Sequence, residues 1–228
     1  MSHRLSAVPL TVRSAGGDMV TGWPVRLEDG DVRLRPLGGR DQGAWLALRA
    51  ANADWLEPWD ASSPVPVVGP RPSFRQYVRA LRSQARDGTA LPFALDYRGE
   101  LVGQLTVSGI TYGSFRSGTI GYWVSEHVAG RGIVPTAVAL AVDHSFFRLG
   151  LHRIEVNIRP ENAPSLRVVA KLGFRDEGLR ERYLHIAGEW CDHRSFALTT
   201  EDVPGGLVAR WHRTQQTGRT DVAAGDAE

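Results

Sequence analysis

Hydrophobic and polar residues along this chain switch between two periods. Strict alternation marks Asp31-Val32-Arg33-Leu34-Arg35 as a strand. Phe93 to Tyr97 and Leu101 to Leu105 flank Arg98-Gly99-Glu100 and predict a hairpin. Further strands are predicted at Thr119 to Val124, at Arg153 to Arg159 with Ile154, Val156 and Ile158 on one face, at Arg182 to Ile186 and at His193 to Leu198. The last two are joined by a turn at Ala187-Gly188-Glu189. Helical spacing runs through Ala44, Trp45 and Leu48, and from Ser73 to Arg86 with Ser73 as N-cap. It is clearest from Pro135 to Leu149, where Val134, Val138, Val142, Phe146 and Leu149 form one stripe and Gly150 suits the end. Ser165 to Leu172 predicts a short helix closed by Gly173. The proline-dense residues 52–72 carry no clear period and read as a loop with short turns. Early hairpins followed by late crossovers predict an α/β chain with a mixed sheet.

Composition narrows this picture. The 228 residues are 42% hydrophobic and 23% charged, which suits one globular domain with a real core. Residues 1–24 are rich in Ser, Gly, Thr and Pro, and Met19 is an alternative start. The chain turns polar again after Gly205, so both ends are expected to be disordered. The domain is therefore placed at 25–205, with an irregular extension before it and a polar tail over 206–228. Net charge is +2 and comes from dispersed arginines. That permits an acidic ligand but predicts no direct nucleic-acid partner, which calls for a clustered basic face. Cys191 is the only cysteine, so neither an internal disulfide nor a metal cluster is expected. No apolar run approaches the ~18 residues of a membrane span. The expected location is cytoplasmic, away from any membrane.

The sharpest local feature runs from Val124 to Thr136, Val-Ser-Glu-His-Val-Ala-Gly-Arg-Gly-Ile-Val-Pro-Thr. It leads from a strand through a glycine-containing turn into the clearest helix. A helix start leaves backbone N–H groups unpaired and partly positive, and glycine lets a phosphate approach them. Pro135 fits the first helical position, and Arg131 and the Thr136 hydroxyl are placed to add contacts to a pyrophosphate. No Gly-Lys-Ser/Thr follows, and Pro135 breaks a dinucleotide glycine pattern. Taken alone, the turn is either a phosphate cradle or a plain strand-to-helix turn.

About 30 residues downstream stands Asn157 to Phe174, Asn-Ile-Arg-Pro-Glu-Asn-Ala-Pro-Ser-Leu-Arg-Val-Val-Ala-Lys-Leu-Gly-Phe. The ordered pair of segments resembles the GNAT acetyltransferases. Gly132 matches the central glycine of that family's first signature. Asn162, Ser165 and Leu172-Gly173-Phe174 match the second, Asn-x-x-Ser/Ala before a helix ending Leu-Gly-Phe. Ala129 departs from the usual Gln or Arg, and Val134 from the usual Gly or Ala. Glu177 to Asp202, Trp55-Leu56-Glu57-Pro58-Trp59 and Ile120 to Val124 are similar to ribosomal-protein-alanine N-acetyltransferases of the RimJ type.

The resemblance implies an α+β GNAT fold with a mostly antiparallel sheet of about seven strands flanked by helices. It implies acetyl-CoA as cosubstrate and no metal. Backbone around Trp123 and Val124 would bind thioester and pantetheine, residues 130–136 (Gly130, Arg131, Gly132, Ile133, Val134, Thr136) the pyrophosphate, and Asn162 the pantetheine arm. Direct attack without an acyl-enzyme is implied, with Ser165 meeting the departing sulfur unless it only caps its helix. Asn162 has the same alternative as an N-cap. The tyrosine that many relatives place seven residues after the asparagine is Val169 here. Cys191 lies away from both signatures and reads as packing. Glu57, between two tryptophans in the loop expected to line the acceptor side, is the candidate base, with Glu126 and His127 as alternatives. Trp55, Trp59 and Tyr183 are the candidate acceptor contacts, although Trp45, Trp55 and Trp59 also suit a core. His144 and His185 read as structural.

The implied acceptor is the N-terminal α-amine of a protein such as a ribosomal protein. At pH 7 deprotonation costs an α-amine about 1–1.4 kcal/mol and a lysine about 4.6, so little is asked of a base. The competing readings are an acetyltransferase for a small amine, which would present a closed acidic pocket, and an acyl-CoA-binding module without turnover. A peptide enzyme would show an open cleft between residues 52–72 and the hairpin from Tyr183 to His193. Both monomer and homodimer are compatible with the family.

Overall fold

A computed structural model describes residues 23–65, 69 and 72–225. The expected N-terminal extension, with the alternative start at Met19, lies outside the described residues up to residue 22. Among those described, eight strands form one sheet in the order β1-β2-β3-β4-β5-β6-β8-β7. They are β1 (Leu27–Asp29), β2 (Val32–Pro36), β3 (Leu91–Tyr97), β4 (Glu100–Thr111), β5 (Ser117–Val124), β6 (Arg153–Ile158), β7 (Arg175–Ile186) and β8 (Glu189–Thr199). The expected count of about seven misses β1, whose three residues are too few to show a period. Every neighbouring pair is antiparallel except β5 and β6.

That parallel pair positions the site. β5 and β6 match only from Ser117 opposite Arg153 to Thr119 opposite Glu155. Beyond Thr119, β5 stays on β4 while the end of β6 stays on β8. The two strands splay, and a wedge opens between Ile120–Val124 and Val156–Ile158.

Six α-helices are described: α1 (Gln42–Ala51), α2 (Ala53–Leu56), α3 (Phe74–Arg86), α4 (Ile133–Phe147), α5 (Ala163–Leu172) and α6 (Leu207–Gly225). Ser73 caps α3 in a reciprocal box with Gln76, as its sequence predicts. Part of the expected 52–72 loop is instead α2 and a 3-10 turn at Glu57–Trp59, where Pro58 sits in the first turn that tolerates it. α1 and α3 cover one face of the sheet, over Leu37, Phe74, Val78 and Ala94. α4 covers the other, against Phe93, Leu95, Leu105, Ile120 and Ile154.

Two expectations need correction together. The stripe predicted for α4 is only part of its buried surface: twelve of its fifteen residues are buried. A helix apolar on all sides has neighbours on all sides. The outer neighbour is α6, in the tail expected to be disordered. Leu207 and Trp211 of α6 are buried against the core. Asp143 of α4 caps it, accepting the Leu207 and Val208 N–H groups at 2.6 and 3.1 Å. Leu207, Val208 and Trp211 share one helical face, which the polar average of the tail conceals. Burying each such side chain contributes about 1.5–3 kcal/mol, enough to hold a helix of mostly polar residues.

Candidate active site

A cavity of about 600 Å³ lies in the wedge. Its floor is the free end of β5, its walls the starts of α4 and α5, and its roof α1, α2 and the turn after them.

The floor depends on close strand approach. The β4 residue opposite Val124 is Gly103, where a Cβ would meet the Trp123 carbonyl oxygen at 2.2 Å. The Trp123 carbonyl thus points to β4, and the Ser125 N–H bonds Val102 O on β4 at 2.8 Å. Peptide groups alternate along a strand, so Val124 directs its own N–H and C=O into the wedge. Trp55 Nε1 donates to that carbonyl at 3.1 Å. The buried Asn52 side chain fixes the chain just beyond, accepting from Ser125 Oγ at 3.0 Å and from the Glu126 N–H at 2.8 Å.

The α4 wall is the glycine turn. Gly130 and Gly132 have φ of +82° and +79°, a region that disfavours side chains, and Gly132 is the N-cap of α4 with no side chain satisfying it. The helix begins at Ile133, so Pro135 is its third residue rather than its first. It still removes only an N–H that the first turn leaves unpaired. Thr136 N–H returns to Gly132 O at 3.1 Å, which leaves the Ile133 and Val134 amides as the first-turn donors beside the cavity. The Thr136 hydroxyl does not join them. It donates to Gly132 O at 2.9 Å and accepts from Trp211 Nε1 at 2.9 Å, so it braces the turn from behind. Arg131 does not line the cavity either; it bonds His127 O at 3.2 Å.

On the α5 wall, Asn162 and Ser165 divide two roles left open by sequence. Asn162 is the N-cap, its Oδ1 accepting the Ser165 N–H at 3.1 Å. Ser165 is the third helical residue, and its hydroxyl is free of capping and lines the cavity. Tyr122, one residue before Trp123, turns its hydroxyl toward it. Burial pushes that phenol up to about 12, with partial relief from Ser165. The Tyr122 oxygen is fully buried yet has no hydrogen bond of good geometry among the described residues. It stays a protonated O–H at any physiological pH. Two further cavity residues of α5, Arg167 and Lys171, lie one helical turn apart.

The roof is aromatic. Trp45, Trp55 and Trp59 all line the cavity with Trp123, and Trp45 also packs against the core beneath α3, its ring 5.4 Å from Phe74. Trp45 Nε1 bonds Gln104 at 3.1 Å, and Gln104 bonds the Tyr77 hydroxyl at 2.8 Å. The Arg49 guanidinium stacks 5.3 Å from the Trp123 ring and pairs with Asp60. Sequence reasoning missed Arg49, Asp60 and Tyr122; the first two are ordinary charges until α1 and the 3-10 turn bring them together.

Other predicted residues are not brought into the cavity. Glu57 is exposed and does not line it; the carboxylate that does is Asp60. Glu126 and His127 are exposed outside it, His127 bonded to Ser125 at 2.7 Å. Tyr183 lies on β7, its hydroxyl bonded by Asn157 and Arg180 at 3.3 Å each, and its ring lies 5.5 Å from His193. Cys191 is buried in β8 away from the cavity, His144 is buried in α4, and His185 bonds Ser62 at 2.9 Å. Among the described residues no cluster of three or more His, Cys, Asp or Glu is arranged to hold a metal, and no helix is long and apolar enough to cross a membrane.

A splayed parallel pair with a side-chain-free amide turn on one wall and an asparagine-capped serine on the other defines a class of acyl-group transferase. Residues 31–175 match the family described as the acetyltransferase (GNAT) domain. The chain belongs to the GNAT acetyltransferases and, within them, to the RimJ/RimL type; it is an acetyl-CoA-dependent enzyme. It is 33% identical over 174 residues to a probable N-acetyltransferase, YjcK, of Bacillus subtilis, spanning 75% of this chain and 95% of the relative. It is 30% identical over 185 residues to the ribosomal protein uS5-alanine N-acetyltransferase of Escherichia coli, covering 79% and 94%. Among solved structures it is similar to Mycobacterium smegmatis RimJ in complex with CoA-disulfide, with a TM-score of 0.79, 40% identity, and coverage of 85% of this chain and 96% of that one. The residues fit coenzyme A: the left-handed backbone at Gly130 and Gly132 leaves the Ile133 and Val134 amides beside the cavity, and the buried Tyr122 hydroxyl has no hydrogen bond of good geometry among the described residues.

Proposed function

We propose that the protein acetylates the N-terminal α-amine of a protein, with a ribosomal protein as the acceptor class. One observation carries this reading: among the described residues the cavity has no spare negative charge. Its charged side chains are Arg49, Asp60, Arg167 and Lys171, and Asp60 is neutralised by Arg49. A polyamine or aminoglycoside would need uncompensated carboxylates, whereas a peptide terminus brings one cation on an otherwise neutral chain. Similarity to an enzyme named as a ribosomal protein uS5-alanine N-acetyltransferase supports the same choice. The expected gap between residues 52–72 and the late hairpin is bridged where Ala61 pairs with Ile186 and Ser62 N–H bonds His185 O at 2.8 Å.

Acetyl-CoA supplies the activated acyl group. The Ile133 and Val134 amides hold its phosphates at the positive end of α4. The Val124 N–H and the Trp123 region align its arm along β5, and Arg167 and Lys171 add positive charge. As the amine nitrogen bonds the acyl carbon and the carbon–sulfur bond breaks, the Ser165 hydroxyl donates its proton to sulfur. Tyr122, still protonated, resupplies Ser165 and is itself restored by a proton taken up from water, to which the amine has lost one. The proton lost by the amine leaves to water, so exposed Glu57 is not needed as a base.

Purified protein should release CoA from acetyl-CoA when given short peptides beginning with Ala or Ser. Blocking the peptide α-amine should abolish release, and blocking lysine should not. Turnover confined to lysine or to polyamines would overturn the acceptor assignment.

A further inference from the structure

The arginines that look dispersed in the sequence gather in space. Arg75, Arg79, Arg82 and Arg86 follow one another at steps of four, three and four along α3. At about 100° per residue they fall within an arc of about 60°, on a row about 16 Å long. All four are exposed. With Gly39 and Val78 they line a second groove, of about 340 Å³. None has an ion-pair partner among the described residues. The carboxylate beside the groove, Asp41, is spent on Arg35 at 2.9 Å through both oxygens and on the Gly38 N–H. Asp87, past the end of the helix, takes only the Ser83 hydroxyl at 3.5 Å.

We propose that this face of α3 docks the phosphodiester backbone of a folded nucleic acid. The absence of clustered positive charge inferred from composition fails here, because helical spacing aligns what the linear sequence disperses. Guanidinium groups suit phosphate oxygens. A protein partner would want an apolar centre to its interface, and none of the exposed large hydrophobic residues lies on α3. A single strand would want exposed aromatic rings, which the row also lacks. A lipid surface would want the apolar face of the helix, but Phe74, Val78 and Ala85 are buried in the fold. Taking that nucleic acid to be ribosomal RNA beside a ribosomal acceptor rests on the acceptor reading above; the phosphate chemistry does not.

The test is fluorescence anisotropy of the full chain with an RNA hairpin and a DNA duplex, each longer than the row. Contacts to phosphate alone predict similar affinity for both. Four phosphate contacts give a salt slope of about −3.6, so raising salt from ~50 to ~200 mM should weaken binding about 150-fold. In Arg79→Glu/Arg82→Glu two contacts remain at most, and the same change should cost only about 12-fold. Peptide turnover and CoA affinity should be unchanged in that variant, which also reports that it folds. Duplex binding that survives the double substitution with its salt slope intact would overturn the proposal. So would tighter binding to poly-glutamate or to anionic-lipid vesicles than to either duplex. Failure of the acceptor assignment would appear in peptide turnover instead, and the two are read separately.

Discussion

Trp211 gives the sharpest test of how the glycine turn at the start of α4 is held. Its indole is 5% exposed, and its Nε1 donates to Thr136 Oγ1 at 2.9 Å, which in turn donates to Gly132 O at 2.9 Å. Its Cζ2 sits 3.5 Å from where a Gly132 Cβ would stand. A residue from the polar tail thus supports, through one hydroxyl, the carbonyl of the left-handed glycine that opens α4. Trp211→Phe keeps most of the apolar body and removes the donor, at a cost of about 0.5–1.5 kcal/mol. Trp211→Ala removes the ring as well, at about 3–5 kcal/mol. At about 2–4 °C per kcal/mol for a chain of this size, Tm should fall by about 1–6 °C and about 6–20 °C respectively. The informative measurement is CoA affinity by calorimetry. Trp211→Phe should raise the CoA Kd several-fold while the peptide KM stays constant, and Thr136→Val should do the same. Combined, the two should cost less than the sum of the singles, because they cut one chain of hydrogen bonds. If Trp211→Phe lowers Tm but leaves the CoA Kd untouched, α6 is only a cover for α4. If removing residues 207–228 changes neither quantity, the bracing is refuted outright.

Two further substitutions and one titration follow. Ser165→Ala should lower kcat by ten-fold or more with CoA Kd unchanged, since Asn162 rather than Ser165 caps α5; full activity would reduce Ser165 to a wall residue. Tyr122→Phe should give a smaller kcat loss in the same direction and a Tm equal to or above that of the parent, because the hydroxyl it removes has no good partner in the fold; an unchanged kcat would end its role in resupplying the proton. The Asp41 carboxyl is half-buried, which alone would raise its pKa, but Arg35 and the Gly38 N–H overcome burial and hold it below its ordinary 3.8. The unfolded chain therefore takes up this proton first as pH falls. The stabilisation is fully present above about pH 4 and is lost as pH drops through the lower folded value. Asp41→Asn should destabilise the protein at neutral pH and flatten that acid limb in a urea titration; an unaltered limb would place the linkage elsewhere.

Legibility in the sequence followed the range of the interactions. The Ser73 cap, the hairpin at Arg98-Gly99 and the helix end at Gly173 are decided within a few residues, and the structure shows each. The pairing of the Gly132 turn with Asn162 and Ser165 spans more distance but was legible through a known family spacing. What failed was averaging. The tail reads as polar because Leu207, Val208 and Trp211 are diluted by their neighbours, and the clue to them stood 70 residues earlier, in a helix α4 too apolar for a single buried face. Glu57 failed for a different reason. Its position between two tryptophans is local, but which of two nearby acids faces the cavity depends on the 3-10 turn at Glu57–Trp59, which presents Asp60 to Arg49 instead.

The charges show why composition was a poor guide to partners in this chain. A net charge of +2 conceals two separate arrangements. Inside the wedge, Arg167 and Lys171 line the same cavity as the glycine turn, and among the described residues its lining carboxylate, Asp60, is paired with Arg49, so the cavity's charge suits a polyanionic cosubstrate. Outside it, carboxylates such as Asp41, Asp96 and Glu155 are spent on structural arginines, Arg35 and Arg153. With those acids committed within the fold, none of the α3 arginines has an ion-pair partner among the described residues. A near-neutral total is therefore what a chain shows when its acids hold the fold and part of its bases face outward. The same pairing that makes Asp41 a stabilising residue is what leaves the groove beside it positive.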